Sequence, residues 1–289
     1  MVDYSPAFRH LESLSNGTAK WKVHVLPRNE RLPVPAVPKD HIWTHSRQVT
    51  ANQVTFGGEV EELIFYRGVG RFESELQVTS TSRQMTIKNT LAESVSAVFV
   101  LESDGEKGYI RALGALPGRQ SISTPIKGST MGDELIDMEL FVARCTVLLE
   151  AALLEAGLYP LEARAMVGTW TRSYFRTPGV RVLYVSPQKW ANRLLPTTVS
   201  PKPDDFIRVL VGRVEVMLSE VEHVVAQKLR ELPVKADYET VKEYLNTKVD
   251  VPSMLRFGDA KLRRAAQIAK LPNSMMVHIE KYILLELNE

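Results

Sequence analysis

The sequence predicts an α+β fold: an N-terminal antiparallel β-sandwich, then a mixed α/β domain with a helical C-terminal tail. Three observations carry this expectation. From Trp21 to about Ile126 apolar residues recur at every second position, the period of a strand with one buried face. From residue 128 onward the period is helical, broken by strand-like runs at 180–185 and 206–217. A chain of 289 residues, 44% hydrophobic and 24% charged, has ordinary globular composition and the length of about two domains at the usual ~100 to 200 residues each.

Taken in order, residues 1–45 read as an extended N-terminal segment. Pro33, Pro35 and Pro38 alternate there, and their fixed φ and missing N–H groups favour an irregular path, a linker or a strap over a neighbouring surface. Residues 46–127 read as the sandwich domain, with strand 20–26 joining it. Its further strands are expected at 49–56, 63–66, 72–78, 84–89, 95–101, 109–113 and 120–124. Turn signals separate them at Gly57-Gly58, Asn89-Thr90, Asp104-Gly105 and Pro117-Gly118. Seven or eight short strands with no helical period between them suit a sandwich, for which an immunoglobulin-like arrangement is one model.

Residues 128–217 read as the α+β domain. Asp133, Glu134, Asp137 and Glu139 crowd the start of a helix running to Gly157, where their charge suits the positive end of the dipole. After Leu140 that helix is apolar almost all round, which predicts a spine covered on most sides. Pro160 opens a second helix, 180–185 is a strand, 187–195 a short helix, and 206–217 a strand interrupted by Gly212. Residues 218–289 read as a helical region packed on this domain, with helices at 220–232, 238–246, 259–270 and 273–287.

Composition removes several classes of function. Thirty-six Lys plus Arg against 34 Asp plus Glu leave a formal charge of +2, too little for a strong global field toward nucleic acid or anionic lipid. Apolar runs such as 97–101 stop at about five residues, far below the ~20 that cross a bilayer, so no transmembrane segment is expected. The single cysteine, Cys145, excludes an intrachain disulfide and a cysteine metal cluster.

No catalytic residue, metal site or cofactor is assigned. His41 and His45 are four apart, which on a helix would aim two imidazoles at one metal, but the stretch lacks a helical period and a third ligand, so they read as surface or strand histidines. Arg67-Gly68-Val69-Gly70-Arg71 has two glycines of a dinucleotide loop, yet Glu73 stands where a third is needed; it reads as a tight turn. Lys127-Gly128-Ser129-Thr130 reads as helix capping, because the acids behind it repel an anion. Paired acids at Glu61-Glu62, Asp204-Asp205 and Glu220/Glu222 leave a carboxylate-pair hydrolase of cell-wall polymer as an alternative.

The richest constellation is aromatic and cationic. Trp170, Tyr174, Arg181, Tyr184 and Trp190 fall within a short stretch, and flat rings with guanidinium forks suit a groove for a protein, peptide or glycan, with Arg67 and Arg71 contributing from the sandwich edge. The competing reading is core packing of a Trp/Tyr stripe, with arginines reaching past it to water. Arg256, Lys261, Arg263 and Arg264 form a local basic patch that would serve a second alternative, a cytosolic nucleic-acid-binding regulator; without interleaved aromatics it reads more simply as a solvated helix face, and nucleic acid is not the expected partner.

Segments 41–51 (HIWTHSRQVTA), 62–80, 157–175 (GLYPLEARAMVGTWTRSYF), 181–196 (RVLYVSPQKWANRLLP), 206–217 (FIRVLVGRVEVM) and 255–265 resemble a family of uncharacterised exported proteins of Gram-negative bacteria. The resemblance implies a periplasmic or cell-envelope setting and supplies no activity, cofactor or catalytic residue. Members usually carry a secretion signal and further upstream sequence; residues 1–20 lack the signal pattern, which keeps a cytoplasmic location as the alternative. The expectation is a non-enzymatic envelope binding, adaptor or structural protein, of open oligomeric state.

Overall fold

The computed structural model describes residues 20–66, 74–81, 84–126, 135–233, 235–251 and 258–286. Among these the fold is mixed α and β, with eight α-helices and three antiparallel sheets. None of the described helices is long and apolar enough to cross a membrane. The chain divides into two units. One takes Met1–Glu73, Val142–Arg176 and Thr197–Val209; the other takes Ser74–Phe141, Thr177–Pro196 and Leu210–Glu289.

In the first unit, β1 (His24–Val25), β2 (Val54–Phe56) and β3 (Glu59–Glu61) form a small sheet in that order. Gly57 and Gly58, both at positive φ, make the β2–β3 turn, a backbone state that L side chains avoid. The proline-rich segment beyond β1 makes no ladder, so side-chain amides hold it instead. The buried Gln53 accepts from Leu32 N at 2.8 Å and donates to Leu32 O at 2.9 Å, and Asn52 donates to Leu26 O at 2.9 Å.

Three helices complete this unit: α1 (Trp43–Ser46), α2 (Met138–Glu155, from Val142 on) and α3 (Pro160–Trp170), the last continued by a π-helical turn at Thr171–Phe175. Pro160 sits at the first position of α3, where a missing N–H costs nothing, and Tyr159 N donates to Glu162 Oε2 at 2.9 Å. Helix α2 buries Cys145, Leu149, Ala152 and Leu153, but Val147 and Leu154 are exposed. The expectation of a spine covered on most sides is therefore corrected. An all-round apolar sequence permits full burial; the number of neighbours decides it.

The second unit contains β4 (Leu76–Ser80), β5 (Gln84–Asn89), β6 (Val95–Ser103), β7 (Lys107–Leu116), β8 (Ser121–Pro125), β9 (Ile136–Asp137), β10 (Gly179–Val185) and β11 (Val211–Val216). They form a three-stranded sheet, β4-β5-β8, and a five-stranded one, β11-β10-β6-β7-β9. A single apolar cluster draws Leu76, Met85 and Ile87 from the smaller sheet and Val98, Val100, Val182 and Tyr184 from the larger. Asp104 Oδ1 accepts from Glu106 N and Lys107 N, fixing the β6–β7 turn at Gly105.

Strands β10 and β11, which periodicity alone assigns to residues 128–217, pair through β6 with the strands of 46–127. Alternation identifies a strand and not its neighbour. The expected strands at 63–66 and in 206–210 are absent, since an alternating run becomes a strand only beside a partner for its N–H and C=O groups. Gly212, expected to interrupt its strand, lies within β11 opposite Tyr184, and a Cβ there would run into the tyrosine ring.

After α4 (Gln188–Leu194) come α5 (Ser219–Arg230), α6 (Tyr238–Tyr244), α7 (Gly258–Ala269) and α8 (Asn273–Glu286). Leu229, Leu245, Leu262, Ala266 and Ile279 belong to a core made within this tail. Asp237 caps α6, accepting from Thr240 N at 2.9 Å. Gly212→Ala is expected to cost about 1–3 kcal/mol by overpacking, and Tyr184→Ala in the same chain to cost less than the sum of the two single changes; urea denaturation of the four proteins in the cycle checks this.

Candidate functional site

The expected groove residues are distributed between the two units. In the first, the buried Trp170 ends α3 and stacks on Tyr174 of the π-helical turn, with centroids 5.5 Å apart and ring planes within 5°. Residues four apart share one helix face, which sets these rings side by side. Arg172 reaches Asp40 at 3.3 Å, with both side chains largely exposed. Arg67 and Arg71 lie outside the described residues, as do the turn between them and residues 127–130.

In the second unit, Arg181 is 0% exposed on β10. Its Nε donates to Glu215 Oε1 at 3.0 Å and its Nη2 to Pro178 O at 3.0 Å, while Arg213 Nε donates to the same Glu215 oxygen at 2.6 Å. Register explains the grouping. Arg181 faces Glu215 across β10 and β11, and Arg213 is two residues from Glu215 on the same side of the pleat. Tyr184, also buried, points to the opposite face of the sheet, and Trp190 is half-buried on α4. Arg181 and Tyr184 thus act as interior groups, one held by ion pairing and one by packing, rather than as a surface that meets a partner.

The basic patch is likewise redistributed. Arg263 pairs with Glu280, and Arg264 Nε donates to Glu222 Oε1 at 3.1 Å. Lys261 turns toward the Arg181, Arg213 and Glu215 group; burial holds its pKa below the ordinary lysine value, with Glu215 opposing and the two arginines adding to the shift. Arg256 lies outside the described residues. Two members of the patch therefore meet carboxylates and a third faces inward, so a row of lysines and arginines along α7 is not a row of available cations.

The acid pairs behave similarly. Glu61 pairs with Arg47 and Glu62 with Arg31, Glu222 is taken by Arg264, and Asp204 and Asp205 are exposed. His41 Nδ1 accepts from Trp43 N at 3.2 Å, and the His45 ring fills the space left by Gly168 where α1 meets α3. The two histidines stand at and inside a one-turn helix, α1, that their local sequence gave no reason to expect.

Sequence reasoning passed over a second aromatic group in the first unit. Trp43 lies 6.2 Å from Phe65 and 5.4 Å from His41, with Arg47 over its ring at 6.0 Å, and Trp21 lies 5.7 Å from Tyr66. Phe65 and Tyr66 are 57% and 58% exposed, and Ile42 and Ile64 beside them in sequence are exposed as well. Arg47 braces this region: Nε donates to Glu61 Oε2 at 3.1 Å and Nη1 to Pro35 O at 2.8 Å. The run Leu63 to Tyr66 was legible as apolar, but without a strand to join, Ile64, Phe65 and Tyr66 stay outside.

Comparison with known proteins gives no matching family model, no matching curated protein and no matching solved structure.

Two outcomes test these assignments. Arg181→Met leaves Glu215 paired with Arg213 but removes one buried charge-assisted hydrogen bond, and is expected to cost about 1.5–3 kcal/mol, read as a lowered urea midpoint. Lys261→Met is expected to leave stability equal or higher near neutral pH. A base whose pKa is depressed in the fold binds fewer protons folded than unfolded, so wild-type stability rises with pH and the two proteins converge above the ordinary lysine range. Denaturation curves at stepped pH values show whether they do.

Proposed function

We propose that this protein is a non-enzymatic binding or adaptor protein of the cell envelope that recognises a protein, peptide or glycan through the aromatic surface of its first unit. The observation that carries the reading is the exposure of Phe65 and Tyr66, each in ring contact with a tryptophan, Trp43 and Trp21. Rigid rings with open faces contribute large contact area for little lost conformational freedom, which suits apolar side chains and sugar faces alike. The envelope setting rests on the resemblance of segments such as 157–175 and 181–196 to exported proteins. The two facing sheets of the second unit, sharing one apolar cluster, support reading that unit as an antiparallel sandwich that serves as a scaffold.

A Phe65→Ala/Tyr66→Ala variant tests the reading. Photo-crosslinking from position 42, exposed beside Trp43, in envelope extracts and co-sedimentation with purified peptidoglycan separate a polypeptide partner from a glycan. The double variant is expected to lose at least tenfold in whichever signal the wild type gives, with an unchanged melting temperature. Equal signals for variant and wild type refute the assignment of this surface, and turnover of the wall polymer refutes the non-enzymatic reading.

A further inference from the structure

Glu75 sits immediately before β4 and is 1% exposed, although strict alternation from Leu76 places it on the polar side of its strand. Neither carboxyl oxygen has a hydrogen-bond partner among the described residues, and the buried Ser186 Oγ also has none. Around it stand hydroxyls. Tyr184 and Ser186, at the end of β10 and just beyond it, approach the carboxyl without reaching hydrogen-bonding geometry, and Ser74 approaches the Tyr184 hydroxyl.

The charged groups nearby in the fold face elsewhere. Tyr184 is the titratable side chain among the described residues that acts on Glu75. Arg213 and Glu215 of β11 lie on the opposite face of the sheet, paired with one another, and β11 offers Gly212 beneath the Tyr184 ring. From the end of β5, Thr90 contributes N–H and Oγ1, and both donate to the Glu75 backbone oxygen, at 2.8 and 2.9 Å. The backbone is therefore tied while the carboxyl is left among neutral oxygens. A carboxylate accepts only, and in an apolar interior it needs a cation or several donors; a carboxylic acid carries its own donor, and the two hydroxyls can accept from it.

We propose that Glu75 is a proton-binding site, its carboxyl held in the neutral acid form between Tyr184 and Ser186, and that loss of this proton as the pH rises loosens the start of β4 from β10. Burial pushes the Glu75 pKa above the ordinary carboxyl value, with the two hydroxyls opposing the shift, which agrees with that assignment. Because the folded-state pKa is the raised one, stability is complete below the ordinary glutamate range and falls as the pH climbs through the folded-state value. The proposal is independent of the surface at Phe65 and Tyr66.

The test uses the full chain. Infrared spectra of the wild type are expected to show the carbonyl stretch of a protonated carboxyl at pH values above the ordinary carboxyl range, fading as the pH is raised further and absent in Glu75→Gln. Melting temperatures taken from about pH 5 to about pH 9 are expected to fall in the wild type relative to Glu75→Gln, with the two meeting at the acid end. Should Glu75→Gln fail to fold, Tyr184→Phe replaces it in the infrared titration and is expected to shift the frequency of that band, which the band of a carboxyl away from Tyr184 would not do. Parallel melting curves, or no protonated band above the ordinary carboxyl range, overturn the proposal. So does a sodium-, potassium- or calcium-dependent rise in wild-type melting temperature that Glu75→Gln lacks, which would make the site one for a metal cation.

Discussion

Strand β10 is buried on both faces, and most of what is specific about the second unit follows from that constraint. Every residue from Val180 to Val185 is buried. A surface strand needs partners for half its side chains; this one needs them for all. On one face Val180, Val182 and Tyr184 enter the apolar cluster shared with the smaller sheet, and the tyrosine ring fits because β11 offers Gly212 opposite it. On the other face Arg181 is enclosed, and an enclosed guanidinium requires a carboxylate, which β11 supplies as Glu215 in direct register. The two special residues of β11, Gly212 and Glu215, are thus set by what β10 presents to them.

The same constraint organises the helices beyond. Lys261 of α7 brings a further cation toward the Arg181, Arg213 and Glu215 group, and its depressed pKa reflects the dry setting. The first unit works on different terms. Its extended segment has no ladder, and Gln53, Asn52 and Arg47 satisfy the backbone of 26–35 with side-chain groups. Rings that a denser unit would enclose, Phe65 and Tyr66, stay at the surface.

Much of this was legible in the sequence, for identifiable reasons. Alternation at 84–89, the apolar run at 95–101 and helical periodicity through the tail mark real elements because each depends on local chemistry alone. Pairing is not local, so the membership of residues 180–185 in a sheet with 95–103 could not be read from either stretch. A signal for the buried arginine did exist: Val180-Arg181-Val182-Leu183-Tyr184-Val185 is too apolar for a half-exposed strand, and Val211-Gly212-Arg213-Val214-Glu215-Val216 carries a carboxylate at the matching parity. Glu75 offered no such cue, since strand periodicity turns it outward. The aromatic surface at residues 65 and 66 hid behind a strand that never forms.

The buried core of the helical tail is drawn from residues 225–283, one stretch of chain, with Met217 packed against it. The five-stranded sheet instead joins residue 97 to residue 185 and residue 180 to residue 216. Local contacts close quickly and distant ones slowly, because the entropy of the intervening loop must be lost first. A stretch with contacts this local can therefore complete its structure early, and the slower event is the one in which β10 finds β6.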